Sequence, residues 1–310
     1  MTQAKTHNFE GVLAVWKPAG WTSHDVVAKA RRILGVKRIG HTGTLDPAVT
    51  GVLPICVGRA TRMVEYLQEL PKTYEATLRF GIATDTEDLT GNTVERCDAS
   101  HLTEASIREA VQSFVGDIMQ VPPMVSAVKI DGKRLYELAR EGVTVERPAR
   151  PVTIYEIRIG DVNAGVPEPE VTFTVRCSKG TYIRTLCVDI GRKLGVPAAM
   201  AVLKRTESAG LAPEDSLTLE EIASLRESGE LGGRMIEADT LIPFPRTTGG
   251  QTAASHARQG KAVPFEGLQP KPDEAGLWRL YREDGAFLGL FEADLQGRRL
   301  KAVKVFHPED

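Results

Sequence analysis

Residues 11–16 (Gly-Val-Leu-Ala-Val-Trp) form an apolar run that Pro18 and Gly20 end, which predicts a first strand. Thr22 and Ser23 then offer an N-cap. Val26, Val27, Ala30, Ile33 and Leu34 recur at helical spacing until Gly35 stops them. A strand through 52–57 and a helix from about 59 to 70 follow. Residues 72–82 place Tyr74, Ala76, Leu78 and Phe80 on one face with the period of a strand. A capped helix is expected near 103–114. Val121-Pro122-Pro123-Met124 breaks the pattern, and strands near 152–159 and 171–177 return the chain to the core. A helix over 181–194 and a strand over 200–208 complete this part.

The pattern changes near residue 245. Thr247 to Gln251 is polar and turn-forming, and short β-like runs follow at 261–264, 277–282, 286–291 and 300–306. These runs predict a small barrel over 246–310, beside a first domain over 1–245. The fold class is therefore α/β, of the α+β kind. At 310 residues and 33.8 kDa the chain is long enough for both domains.

Composition narrows the setting. No apolar run approaches the ~18 residues of a membrane span, and residues 1–10 lack the apolar centre of a signal peptide. Cys56, Cys97, Cys177 and Cys187 stand far apart without CxxC spacing, so the expectation is a reducing cytoplasm and neither a disulfide framework nor a metal site. A net charge of −2 argues against a uniformly basic nucleic-acid binder. The charges are segregated, however. Residues 26–45 hold Lys29, Arg31, Arg32, Lys37 and Arg38 with no acid, whereas 213–239 hold eight acids against Arg226 and Arg234. Such a chain can present one basic face while remaining acidic in sum.

The candidate chemistry lies in residues 40–54, Gly-His-Thr-Gly-Thr-Leu-Asp-Pro-Ala-Val-Thr-Gly-Val-Leu-Pro. Gly40, Gly43 and Gly51 permit unusual backbone angles, and Pro47 forces the preceding pair extended or turned. Interleaved Leu45, Val49, Val52 and Leu53 would be wasted on a solvated loop. One carboxylate, Asp46, is thus held in a fixed attitude.

This run resembles the catalytic motif of the TruB-type pseudouridine synthases, which isomerise uridine in the T-loop of tRNA. Trp16-Lys17-Pro18-Ala19-Gly20-Trp21-Thr22-Ser23 is similar to that family's Lys-Pro motif. Cys177 to Thr185 is similar to its Tyr-Ile-Arg motif, in the expected order. The resemblance is strong over residues 9–245 and weak beyond. It implies a pseudouridine synthase fold: a mixed, largely antiparallel sheet flanked by helices. It also implies an RNA-clasping insertion at about 121–150, rich in Lys129, Lys133, Arg134, Arg140, Arg147 and Arg150, and a C-terminal PUA-like RNA-binding domain.

The same resemblance implies roles. Asp46 would be the nucleophile, attacking either the sugar C1′ or the base, and Arg184 would orient it. A free aspartate (pKa ~3.9) is ionised at pH 7 already, so the guanidinium matters once a stacked base excludes water. Tyr74 would stack on the flipped uracil, and Tyr182 would serve as base or proton relay, although an unperturbed phenol (pKa ~10) is a poor base at pH 7. His41 would hold the rearranged T-loop, Lys17, Lys179 and Arg59 would contact RNA or frame the site, and Leu203 would wall the pocket. No cofactor and no obligatory protein partner are implied, and a monomer suffices. Two alternatives remain: a tRNA-folding factor whose isomerase activity is secondary or absent, and a guide-RNA-dependent relative.

Overall fold

In the computed structural model, residues 9–130 and 132–306 are described. The N-terminus is thus outside the described residues through residue 8. The chain forms two compact units, one ending at Met235 and the other beginning at Ile236. The division falls before the composition change at 245. Asp239 explains this, because its carbonyl and carboxylate accept hydrogen bonds from Arg279 and Tyr281 of the second unit.

The first unit is built on one eight-stranded sheet. Its order is Gly11–Lys17, Thr50–Val57, Ala198–Ser208, Lys72–Phe80, Glu170–Cys177, Arg150–Asn163 and Gly116–Gln120, with Ile39–His41 paired to the Thr50 strand. Every pairing is antiparallel except that of the Ala198 and Thr50 strands, which run parallel. At that junction Gly51 has φ 119°, and a Cβ there would lie 2.2 Å from the carbonyl oxygen of Arg205. Only glycine admits this approach, so a motif glycine fixes where the loop bearing Asp46 meets the Arg205 strand. The Thr50 strand is buried at all but its first position, as a continuous apolar run demands. The Lys72 strand alternates buried and accessible positions instead.

Two cores flank this sheet. One gathers Phe80, Leu78, Phe173 and Val175 against the helices Glu104–Gln112 and Ile183–Lys193. The other packs the sheet under the helices Ser23–Leu34 and Leu219–Ser228, through Val26, Ala30, Leu34 and Ile222. The Ser23 helix carries a full capping box, in which Thr22 and Asp25 exchange hydrogen bonds, and it ends on Gly35 at φ 70°. The helix of the basic stretch and the helix of the acidic one pack against each other. Their shared apolar seam brings the two helices together.

Some elements differ from expectation. The helix expected over 59–70 is a 3₁₀ turn at Gly58–Met63 followed by a helix at Val64–Glu69. In the second unit the polar stretch expected to turn forms a strand, Arg246–Gly249, and a helix, Gln251–Arg258. The second unit is a six-stranded, nearly closed barrel around Trp278, Leu280, Phe291 and Leu300. Among the described residues no helix is long and apolar enough to cross a membrane.

Candidate active site

The loop bearing Asp46 is fastened from three directions. Ser23 Oγ accepts from the Leu45 amide at 2.9 Å and donates to its carbonyl at 3.2 Å. Lys17 Nζ donates to the carbonyls of Pro18, Pro47 and Val49 at 2.9, 3.2 and 2.6 Å. Arg205 Nη2 donates to the Gly43 carbonyl at 3.1 Å. Leu45 and Val49 anchor the loop in the first core. The turn closes on itself, with the Val49 amide donating to the Asp46 carbonyl. Between these anchors the Asp46 side chain is 41% exposed and faces a cavity of about 270 Å³.

Arg184 stands across from it, with Nε 3.1 Å from Asp46 Oδ2. Its side chain is 5% exposed, and its other nitrogens donate to the carbonyls of Thr86 and Val125 at 2.8 and 2.7 Å. Those two bonds satisfy a guanidinium that burial would otherwise penalise. They also leave Nε, not a two-pronged fork, as its shortest approach to Asp46. The helix that carries Arg184 starts after Tyr182 without a side-chain cap. Gln120 substitutes for one: its Oε1 accepts from the Tyr182 amide at 3.0 Å and its Nε2 donates to the Tyr182 carbonyl at 3.2 Å.

Tyr74, Tyr182 and Leu203 line the same cavity as Asp46 and Arg184. Burial raises both phenols above their ordinary pKa, so each remains protonated at neutral pH. Ser126 and Ala127, at the root of the insertion, complete the wall. The insertion itself is a small hairpin, Lys129–Ile130 with Lys133–Arg134, followed by the helix Leu135–Arg140. Arg134 and Arg140 both lie over the Tyr136 ring.

Four of the expected residues lie elsewhere. Of the two roles expected for Lys17, its burial and its three carbonyl partners exclude an RNA contact and leave the framing one, as a loop anchor. Burial lowers its pKa to about 8. His41 is half-buried, accepts from the Gly43 amide at Nδ1 and stands edge-on to His24 at 6.1 Å. Burial, and then the neighbouring His24 and Arg205, push its pKa down. Lys179 is exposed beside the cavity and pairs with Glu69. Arg59 pairs with Glu10 at 2.7 Å, outside the cavity.

Sequence reading missed two charged cavity residues, Lys72 and Arg205. Both were within reach of the strand period. Arg205 stands two positions beyond Leu203, and Lys72 two before Tyr74, so each shares its neighbour's face. Arg205 is 1% exposed and its Nε donates to the Val52 carbonyl at 2.7 Å. Lys72 Nζ donates to the carbonyls of Gln68 and Leu70, both at 2.8 Å. Burial, then Arg205, lowers its pKa to about 8, which still leaves it mostly charged at pH 7.

An acid held by a buried arginine, in a cavity of about 270 Å³ that two phenols and a leucine help to line, fits the pseudouridine synthase class when set on this sheet. The family models agree along the chain. TruB family pseudouridylate synthase (N-terminal domain) matches residues 31–183, the tRNA pseudouridylate synthase B C-terminal domain matches 184–236, and pseudouridine synthase II TruB, C-terminal, matches 250–303. Relatives called tRNA pseudouridine synthase B include one from Halalkalibacterium halodurans, 43% identical over 91% of this chain and 92% of its own length. Another, from Symbiobacterium thermophilum, is 51% identical over 82% of this chain and 83% of its own. The chain belongs to the TruB family. Among solved structures, that of a Cbf5-Nop10-Gar1 complex is similar at TM-score 0.76 and 27% identity, covering 98% of this chain and 87% of that one.

Proposed function

We propose that this protein isomerises uridine to pseudouridine in tRNA, acting at position 55 of the T-loop with Asp46 as the nucleophile. The reaction breaks the N1–C1′ bond, turns the ring and joins C5 to C1′, and it exchanges no electrons with a cofactor. The observation that carries this reading is the approach of Arg184 Nε to Asp46 at 3.1 Å inside a cavity that Tyr74, Tyr182 and Leu203 also line. A uridine in a folded loop must leave its stack to reach that depth, at a cost of about a few kcal/mol. Stacking on Tyr74 and enclosure beneath Leu203 offset that cost and keep water from the detached ring. Arg184 orients Asp46 and keeps it charged once the base covers it. Tyr182, a neutral phenol, relays a proton in place of acting as a free base. His41 and Lys179, outside the cavity, meet the RNA.

The protein acts as a cytoplasmic monomer on the T stem-loop, and the 121–150 insertion clasps the RNA. Its identity to relatives named for tRNA, 42–51% among those compared, exceeds the 27% it shares with the Cbf5-Nop10-Gar1 structure, which favours an enzyme that acts without such protein partners. The test is incubation of purified protein with unmodified tRNA transcript, followed by chemical mapping of modified uridines. One new pseudouridine in the T-loop is expected. RNA binding without modification would instead favour a folding factor.

A further inference from the structure

The charges that line the cavity do not balance. They comprise one carboxylate, Asp46, and three cations, Lys72, Arg184 and Arg205. Arg184 answers Asp46. Lys72 and Arg205 are left on the other wall without a carboxylate among the cavity residues. They are neighbours there: Lys72 precedes Tyr74 by two on one strand, and Arg205 faces Tyr74 directly across the ladder. Gly43 packs onto both, since a Cβ at that position would lie 3.5 Å from Arg205 Nη1 and 3.5 Å from Lys72 Cε.

Carbonyl dipoles satisfy part of each cation. Lys72 donates to two, and Arg205 to those of Val52 and Gly43. Dipoles do not cancel a full charge; the acid that acts on Lys72, Glu69, lies outside the cavity and is paired with Lys179, and a buried cation so weakly compensated is costly. Two such cations beside an open cavity form a site preorganised for negative charge.

The reaction proposed above supplies that charge. When the N1–C1′ bond breaks, its electron pair leaves with N1, and the ring carries the negative charge over its nitrogen and carbonyl oxygens. Addition of Asp46 to the base would also push charge onto the ring. The charge is discharged when C5 bonds C1′, C5 gives up its proton and N1 gains one. We propose that Lys72 and Arg205 form a cationic floor that stabilises this transient uracil anion, a role distinct from that of Arg184. The inference rests on the isomerase reading and goes beyond it.

A test compares T-stem-loop RNAs carrying uridine or 5-fluorouridine at the target position, in single-turnover assays that follow loss of the target nucleoside. Fluorine withdraws electrons and makes the detached ring a better anion, so it needs less help from the protein. Lys72→Met and Arg205→Gln are expected to slow uridine turnover by about tenfold to a hundredfold, with RNA affinity changed less than about threefold. That deficit should shrink at least about threefold on the fluorinated RNA, and Arg205→Lys, which keeps the charge, should recover most of the rate. Equal deficits on both RNAs, or Arg205→Lys as slow as Arg205→Gln, would overturn the proposal and leave both residues as supports of the loop. Thermal unfolding checks that each variant is folded, and Lys72→Met carries the test if Arg205→Gln is not. Inactivity of the unaltered protein on both RNAs would overturn the isomerase reading itself.

Discussion

Arg184 and Arg205 are both nearly inaccessible, both line one cavity and both donate to two backbone carbonyls. They differ in what they face. Arg184 spends its Nη groups on Thr86 and Val125 and turns Nε to Asp46, whereas Arg205 holds the Gly43 and Val52 carbonyls and faces no carboxylate in the cavity. The same means of burying a guanidinium therefore serves two ends. On the proposed reading, one fixes the attacking group, and the other leaves a field where negative charge will develop. Burial by itself identifies neither role; the partner across the cavity does.

The comparison breaks most severely at Asp46. Asp46→Asn keeps the shape of the loop and removes its charge, so kcat should fall by more than about 1,000-fold while tRNA affinity stays within about tenfold. Measurable turnover by that variant would show that Arg184 has no catalytic anion to orient.

Arg184→Lys should lower kcat by about 100-fold, because one ammonium cannot reach Thr86, Val125 and Asp46 together. Its melting temperature should fall as well, since a carbonyl left without a donor costs about 1–3 kcal/mol. Full kcat in Arg184→Lys would sink the distinction between the two arginines. Tyr74→Phe sharpens it instead. Stacking survives, so affinity should hold within about threefold, while kcat drops by about tenfold if the hydroxyl beside Arg205 contributes. An unchanged kcat would assign Tyr74 to stacking alone.

The smallest expected effect concerns pH. Burial lowers the folded pKa of Lys72 to about 8, against 10.5 for a free lysine. Between those values the unfolded chain binds more protons at this residue than the folded protein does. The destabilisation is therefore complete below about pH 8 and fades as pH rises toward 10.5. In urea melts the unaltered protein should gain on Lys72→Met by on the order of 1 kcal/mol between about pH 8 and pH 10. A difference that stays constant or shrinks would mean that Lys72 is not held as a buried cation.

Much of this was legible in one dimension. Breakers at Gly40, Gly43, Pro47 and Gly51 marked the loop, and the alternation through Tyr74, Ala76, Leu78 and Phe80 marked the central strand, because both signals are local. The 3₁₀ turn at Gly58–Met63 was not legible, since its apolar spacing is that of a helix. The helix Gln251–Arg258 was hidden by polar residues and alanines that show only a narrow apolar face.

The sequence by itself determined which residue types were available, the order of the elements and the position of the loop that presents an acid. Tertiary structure alone decided that Lys17 would anchor that loop from inside, that Gln120 would stand in for a helix cap, and that Lys72 and Arg205 would stand side by side on one cavity wall. The physical reason is range. Periodicity and turn chemistry act within a few residues, whereas the partner that makes a buried charge tolerable comes from wherever the sheet register delivers it: 153 residues away for Arg205 and Val52.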